Sequence, residues 1–265
     1  AYGYVAMIKK GLRSSLAAFV AGYGYIYQYW VAGAAGFGIL GIASFLYLIS
    51  PSIESSMPWL WAVIAVIASL IVGYLMWRGV KIGGMVSLIF SLIAIIFLIV
   101  TSIALIIVKS SANTLLVFTP APIKWNWITV FTTMILGASI FGGLTTPVGV
   151  AEEAKMPKIT LKRALIIEWV LIALALILSA YAQTIAYGPD KMFNYASLPD
   201  PLIIIYNEYF GPYIAGFLAL IVAISFMISA LGFATSGSRM VYGMARDGVL
   251  YPKMFTKINK YGVPG

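Results

Sequence analysis

The chain has no cysteine and no histidine among its 265 residues, and only 9% of them are charged. Without cysteine there is no disulfide framework and no thiolate chemistry. Without histidine as well, a zinc site and a His-based catalytic relay are excluded. Eight carboxylates stand against 17 Lys and Arg. No nucleophile–base pair and no metal cluster can be assembled from them, and the Gly-rich stretches lack the following Lys of a phosphate-binding loop. The chain is therefore not read as an enzyme.

What is abundant is apolar. Hydrophobic residues make up 62% of the chain and the mean hydropathy is +0.99. Apolar runs near the ~20 residues that span a bilayer recur along it. We read one integral membrane domain over 1–265 with six crossings, at 14–49, 59–77, 82–108, 128–151, 164–187 and 209–236. The first is longer than a bilayer needs, so it is tilted or continues along the surface. Its Gly22, Gly24, Gly33, Gly36, Gly38 and Gly41 predict close approach of neighbouring helices. The stretch from Gly188 to Tyr206, with three prolines, reads as an extended loop. Residues Lys155 to Arg163 read as the loop before the fifth crossing.

The fourth crossing is broken in its middle. It meets Gly142-Gly143 and then Thr145-Thr146-Pro147 before resuming at Val148. Glycine lacks the Cβ that favours helix, and Pro147 donates no hydrogen bond and crowds the carbonyl four residues back. An unpaired backbone group in hydrocarbon costs several kcal/mol, so such a break persists only beside protein or a water-filled cavity. Secondary transporters build substrate sites from breaks of this kind. The amides freed around Phe141 to Thr145 would face the cavity, and the hydroxyls of Ser139, Thr145 and Thr146 would line it.

A net charge of +9 raises the question of nucleic acid, but the basic residues sit between apolar runs. Fourteen of the 17 fall on one set of alternating loops, and Lys109, Lys124 and Lys191 on the other. That asymmetry places the richer set, and both ends of the chain, in the cytoplasm. The expected partner on this evidence is thus the lipid bilayer of the cell membrane, with no nucleic acid. No cleavable signal peptide is visible. The absence of an initiator Met and the ending at Val263-Pro264-Gly265 suggest a fragment of a longer chain.

Three segments carry a resemblance. Phe141-Gly142-Gly143 followed by Ala151-Glu152-Glu153-Ala154-Lys155-Met156-Pro157 resembles the sixth-helix signature of the amino acid–polyamine–organocation transporter superfamily. Ser238-Arg239-Met240-Val241-Tyr242-Gly243-Met244-Ala245-Arg246-Asp247-Gly248-Val249-Leu250-Tyr251-Pro252 is similar to that family's stretch after the eighth helix. Tyr2-Gly3-Tyr4-Val5 with Gly11 is similar to its segment before the third helix. The resemblance implies an all-α membrane protein, the core of an inverted-repeat secondary transporter. Six transmembrane helices, the third to the eighth, would be present, one of them discontinuous. It also implies a symporter or antiporter of amino acids working by alternating access, with no cofactor beyond a sodium ion or proton for coupling.

Several relatives carry an acid where Thr145 stands, so its replacement tilts the substrate toward neutral amino acids. The alternative is that Thr145 only bonds back to its own helix. Ser225 and Ser229 stand four apart on one helix face and match hydroxyls that coordinate the ion in sodium-coupled relatives. Against this, Ser hydroxyls in membrane helices commonly bond back to carbonyls. No Lys lies between Lys81 and Lys109, which argues against a Lys-based proton mechanism. Glu168 is an intramembrane acid close enough to the interface to snorkel. Glu152, Glu153, Arg239 and Arg246 share the cytoplasmic side and form either an inner gate or a solvated charge cluster. Gln28, amid tyrosines, either touches substrate or bridges helices. Two other classes stay open: a nucleobase or anion transporter on a related fold, and a non-transporting membrane assembly subunit.

Overall fold

The computed structural model describes residues 3–49, 57–120, 124–139, 141, 156–198, 200–248, 250 and 253–262. Helix α1 (Gly3–Leu12) ends at Arg13, whose φ of 49° turns the chain. Ser14 then caps α2 (Ser15–Tyr27), its hydroxyl accepting the Ala17 N–H at 3.1 Å. A π-helical stretch (Gln28–Ala35) joins α2 to α3 (Gly36–Ile49). The next helices are α4 (Pro58–Arg78) and α5 (Val80–Val108), separated by Gly79 at φ 101°, a conformation that side chains disfavour. Helices α6 (Trp127–Ser139), α7 (Pro157–Tyr187), α8 (Pro201–Phe210) and α9 (Pro212–Arg246) complete the set.

Among the described residues, five helical spans are long and apolar enough to cross a membrane: Ser15–Leu46, Trp59–Arg78, Gly84–Val108, Ile159–Tyr187 and Pro212–Arg246. The apolar helix Trp127–Ala138 is shorter. Leu70 and Ile107 expose 68% and 67% of their surface, two of many such side chains along these spans. Water would penalise that surface heavily, whereas lipid accepts it. The protein is an all-α, multi-pass membrane protein.

The prolines behave differently from the sequence reading. Gly188 to Tyr206, expected as an extended loop, contains a 3-10 helix (Pro189–Ser197) and the first part of α8. Pro189, Pro201 and Pro212 each open a helix, where the missing N–H has no intrahelical partner to lose. Pro157 does the same for α7, so Lys158 to Arg163 lie on a helix and not in a loop.

The chain divides into two units. The first comprises 1–91, 145–165 and 220–265. Its buried cluster is Val5, Ala18, Tyr29, Met240 and Met244, with Tyr25, Ile26 and Phe233 packed against it. Phe233 lies parallel to Phe37 (5.4 Å between centroids, 7°) and tilted to Tyr29 (6.1 Å), while Phe37 also stacks on Phe226 (5.9 Å). Lipid tails are as apolar as these side chains, so close packing holds such helices together more than water exclusion does. Glycines supply the room. A Cβ on Gly22 would strike Met244, one on Gly33 Phe233, and one on Gly41 Met227 and the Ala223 carbonyl. Gly24 meets nothing, Gly36 only its own segment, and Gly38 just touches Ala230. Three of the six glycines expected to admit a neighbour therefore do so tightly.

The second unit comprises 92–144 and 166–219. Phe97 meets Phe217 edge-on at 5.1 Å, and the buried Tyr206 hydroxyl lies 2.6 Å from Thr101 Oγ1. Tyr181 stacks on Phe118 (5.3 Å); its hydroxyl donates to Asn113 Oδ1 and accepts the Thr114 N–H. Gln183 donates to Ser179 Oγ at 2.7 Å and accepts from the Tyr195 hydroxyl. Burial first, then the neighbouring Tyr187 and Tyr206, push the Tyr195 phenol up to about 12, so it remains a donor at neutral pH.

Candidate functional site

The sequence directs attention to the stretch after α6. That helix is apolar, and its threonines turn their hydroxyls back onto carbonyls: Thr132 to Ile128 and Thr133 to Thr129. Ser139 is its last residue, and Phe141 beyond it is partly buried. Gly142, Gly143, Thr145, Thr146, Glu152 and Glu153 lie outside the described residues, as does the Ser139 side chain.

Ser225 and Ser229 sit within α9, both partly buried. The Ser229 hydroxyl donates to the Ser225 carbonyl at 3.0 Å, which leaves its lone pairs as acceptors. Gln28 opens the π-helical stretch and is exposed, while the adjacent Tyr29 is buried. Its backbone N–H bonds back to the Gly24 and Tyr25 carbonyls, which continues the ladder of α2 into the π-helical stretch.

The two arginines differ. Arg239 is 3% exposed, and its Nη1 donates to the Thr235 carbonyl and Ser238 Oγ, each at 3.3 Å. A guanidinium is rarely buried unless it is paired. Arg246, two turns on along α9, is exposed, 3.5 Å from Asp247 and 5.9 Å above the Tyr242 ring. Glu168 lies within α7, inside the span Ile159–Tyr187 and partly buried.

One arrangement escaped the sequence reading. Between Gln28 and Ala35 the chain winds as a π-helix, a rare form that accompanies functional sites. Its wider turn presents Trp30 to α9, where a Cβ on Gly237 would strike the indole. Gly33, one turn on, receives Phe233. Glycines at 33 and 237 facing aromatics at 233 and 30 were the available signal. The intervening run of small residues has no period by which to pair them.

Cavities separate by chemistry. In the first unit, a space of about 340 Å³ is lined by Phe45, Ile64, Ile71, Ala223, Met227 and Leu231, with almost no polar surface. A zwitterion has no partner there. In the second unit, a space of about 600 Å³ lies between α6 and the end of α7 and carries Thr119, Thr129, Thr133 and Thr184.

The family model described as amino acid permease matches residues 1–264. An uncharacterized transporter of Legionella pneumophila is 27% identical over 158 residues, which cover 56% of this chain and 34% of that transporter. The match thus spans about a third of that relative's length. No solved structure matches the chain.

Proposed function

The chain belongs to the amino acid permease family, and from that premise we propose that it forms the core of a secondary transporter carrying neutral amino acids across the cell membrane by alternating access. The observation behind this reading is the apolar helix Trp127–Ser139, 13 residues long, leading within four residues to Gly142-Gly143 and then Pro147. At about 1.5 Å per residue that helix covers about 20 Å, roughly two thirds of a ~30 Å hydrocarbon core, and so stops inside it. A glycine pair at that depth supports a backbone site for the substrate's charged groups, with Ser139, Phe141, Thr145, Thr146 and Gln28 around it. Thr145 in place of an acid supports a neutral side chain over a cationic one.

Ser225 and Ser229 are the proposed ion contacts, and sodium is favoured because no Lys occupies the third crossing. Glu152 and Glu153 with Arg239 and Arg246 are the proposed inner gate, on the cytoplasmic side. The decisive experiment is uptake of labelled amino acids by the full protein in proteoliposomes. Neutral amino acids should accumulate. Transport confined to arginine or polyamines would overturn the neutral assignment, and transport confined to nucleobases or anions would overturn the substrate class.

A further inference from the structure

We propose that the end of α4 and the segment 257–261 form a binding site for the phosphate of an anionic phospholipid headgroup. The span Trp59–Arg78 is apolar until its last residue, so Arg78 stands at headgroup depth. Its guanidinium lies 5.8 Å above the Tyr74 ring and 5.2 Å above the Tyr261 ring, and Nη1 donates to the Tyr261 hydroxyl at 3.2 Å. Lys260 places Nζ 5.5 Å over Trp77 and 5.2 Å over Tyr261. Trp77 and Tyr261 themselves meet edge-on at 4.8 Å.

The arrangement is tethered through the backbone. Asn259 Nδ2 donates to the Trp77 carbonyl at 2.9 Å, taking up one of the acceptors left at the helix end. Asn259 Oδ1 accepts the Tyr261 N–H at 2.8 Å, which fixes the ring that both cations share. Two cations thus converge on one aromatic cluster although they repel each other. Among the described residues neither has a carboxylate at ion-pair distance; Asp247, which belongs to the same unit, contacts Arg246.

Positive loops by themselves explain the number of charges, not this geometry. One Arg78 donor is engaged by Tyr261, and the rest of the planar fork remains to grip two phosphate oxygens. Lys260 adds a point charge, with Lys257 exposed nearby in sequence. Trp77 and Tyr74, 41% and 55% exposed, suit the amphipathic layer where glycerol meets headgroup. A bilayer lipid is the fitting source, because the site sits where a membrane span ends.

The test uses the full protein in neutral detergent, with phosphatidylglycerol, phosphatidylcholine or inorganic phosphate added, and counts retained lipid by native mass spectrometry. Wild type should hold phosphatidylglycerol well above phosphatidylcholine. Arg78→Gln with Lys260→Gln should weaken that retention about 30-fold, and the exposed Lys260→Gln alone about fivefold. Lys162→Gln with Arg163→Gln removes the same charge elsewhere and should leave it unchanged. Equal weakening by both double variants, or no weakening by Lys260→Gln, would overturn the site. Displacement of the lipid by equimolar inorganic phosphate would overturn the lipid as its source.

Discussion

Replacing Gly33 by alanine puts a methyl group 2.5 Å from Cδ1 and 2.7 Å from Cβ of Phe233, and closer still to Cγ. Cβ belongs to the stem of the side chain, so no rotation of the ring relieves the contact; the π-helical stretch and α9 must separate or the ring must leave its place. Overpacking of this kind costs about 1–3 kcal/mol. Displacing the ring also weakens its stack on Phe37 at 5.4 Å, a pair of the type that contributes about 0.5–1.5 kcal/mol. Alanine's better helix propensity returns about 1 kcal/mol. The net loss is about 1–3 kcal/mol, or roughly 3–10 °C in unfolding temperature for a chain of this size. Thermal unfolding in detergent, followed by tryptophan fluorescence, reads it directly. Gly24→Ala is the control, since nothing lies within 4 Å of the added Cβ and the variant should match or exceed wild type. Gly33→Ala in a Phe233→Gly background should cost much less than in wild type, because both the ring and the Cβ it would strike are gone. An unfolding temperature for Gly33→Ala equal to that of wild type would refute the packing argument.

Four further outcomes are expected. Gly142→Leu with Gly143→Leu should abolish substrate binding while insertion persists, since leucine inserts well; near-normal affinity would place the site elsewhere. Cysteines at Ser111 and Ser197 should react with an impermeant reagent in intact cells and one at Thr256 should not; labelling at Thr256 would invert the proposed orientation. Uptake by the full protein should fall when choline replaces sodium, and unchanged uptake would remove the coupling role of Ser225 and Ser229. Because folding raises the Tyr195 phenol from 10.0 to about 12, its contribution to stability is complete below pH 10 and is lost as the pH rises through 12. Alkaline unfolding curves of Tyr195→Phe should lack that component, and identical curves would argue against the buried phenol.

The helical, membrane-spanning character was legible because it rests on composition over some 20 residues at a time, and no local detail can reverse it. The apolar stretch from Trp59 to Trp77 could be little other than the helix that α4 is. Punctuation was harder to read. Pro189, Pro201 and Pro212 are breakers by one property, the missing N–H, and starters by another, the fixed φ. Which property matters depends on whether the chain before each is already helical, and the prolines alone do not say. The π-helical turn at Gln28–Ala35 was hidden for a related reason. Apart from Gln28 and Val31 its residues are small or aromatic, so no hydrophobic period betrays an extra residue per turn.

Glycine shows where the limit lies. Gly24 and Gly33 share one long apolar segment and are indistinguishable by composition, yet an added Cβ meets nothing at the first and the Phe233 ring at the second. The difference is made by a partner some 200 residues away in the chain, so only tertiary structure could assign it. The same holds for Arg78 and Lys260. As single charges they count equally toward orientation, and nothing in their spacing announces that both settle on Tyr261. A sequence therefore displays the sum of its charges and apolar runs, whereas sites arise from pairings between distant residues. The glycine pair at 142 and 143 is an expectation of another kind, because a helix break is argued from neighbours in the chain alone. That locality is why a substrate site could be proposed there from the sequence, while the proposed lipid site required the fold.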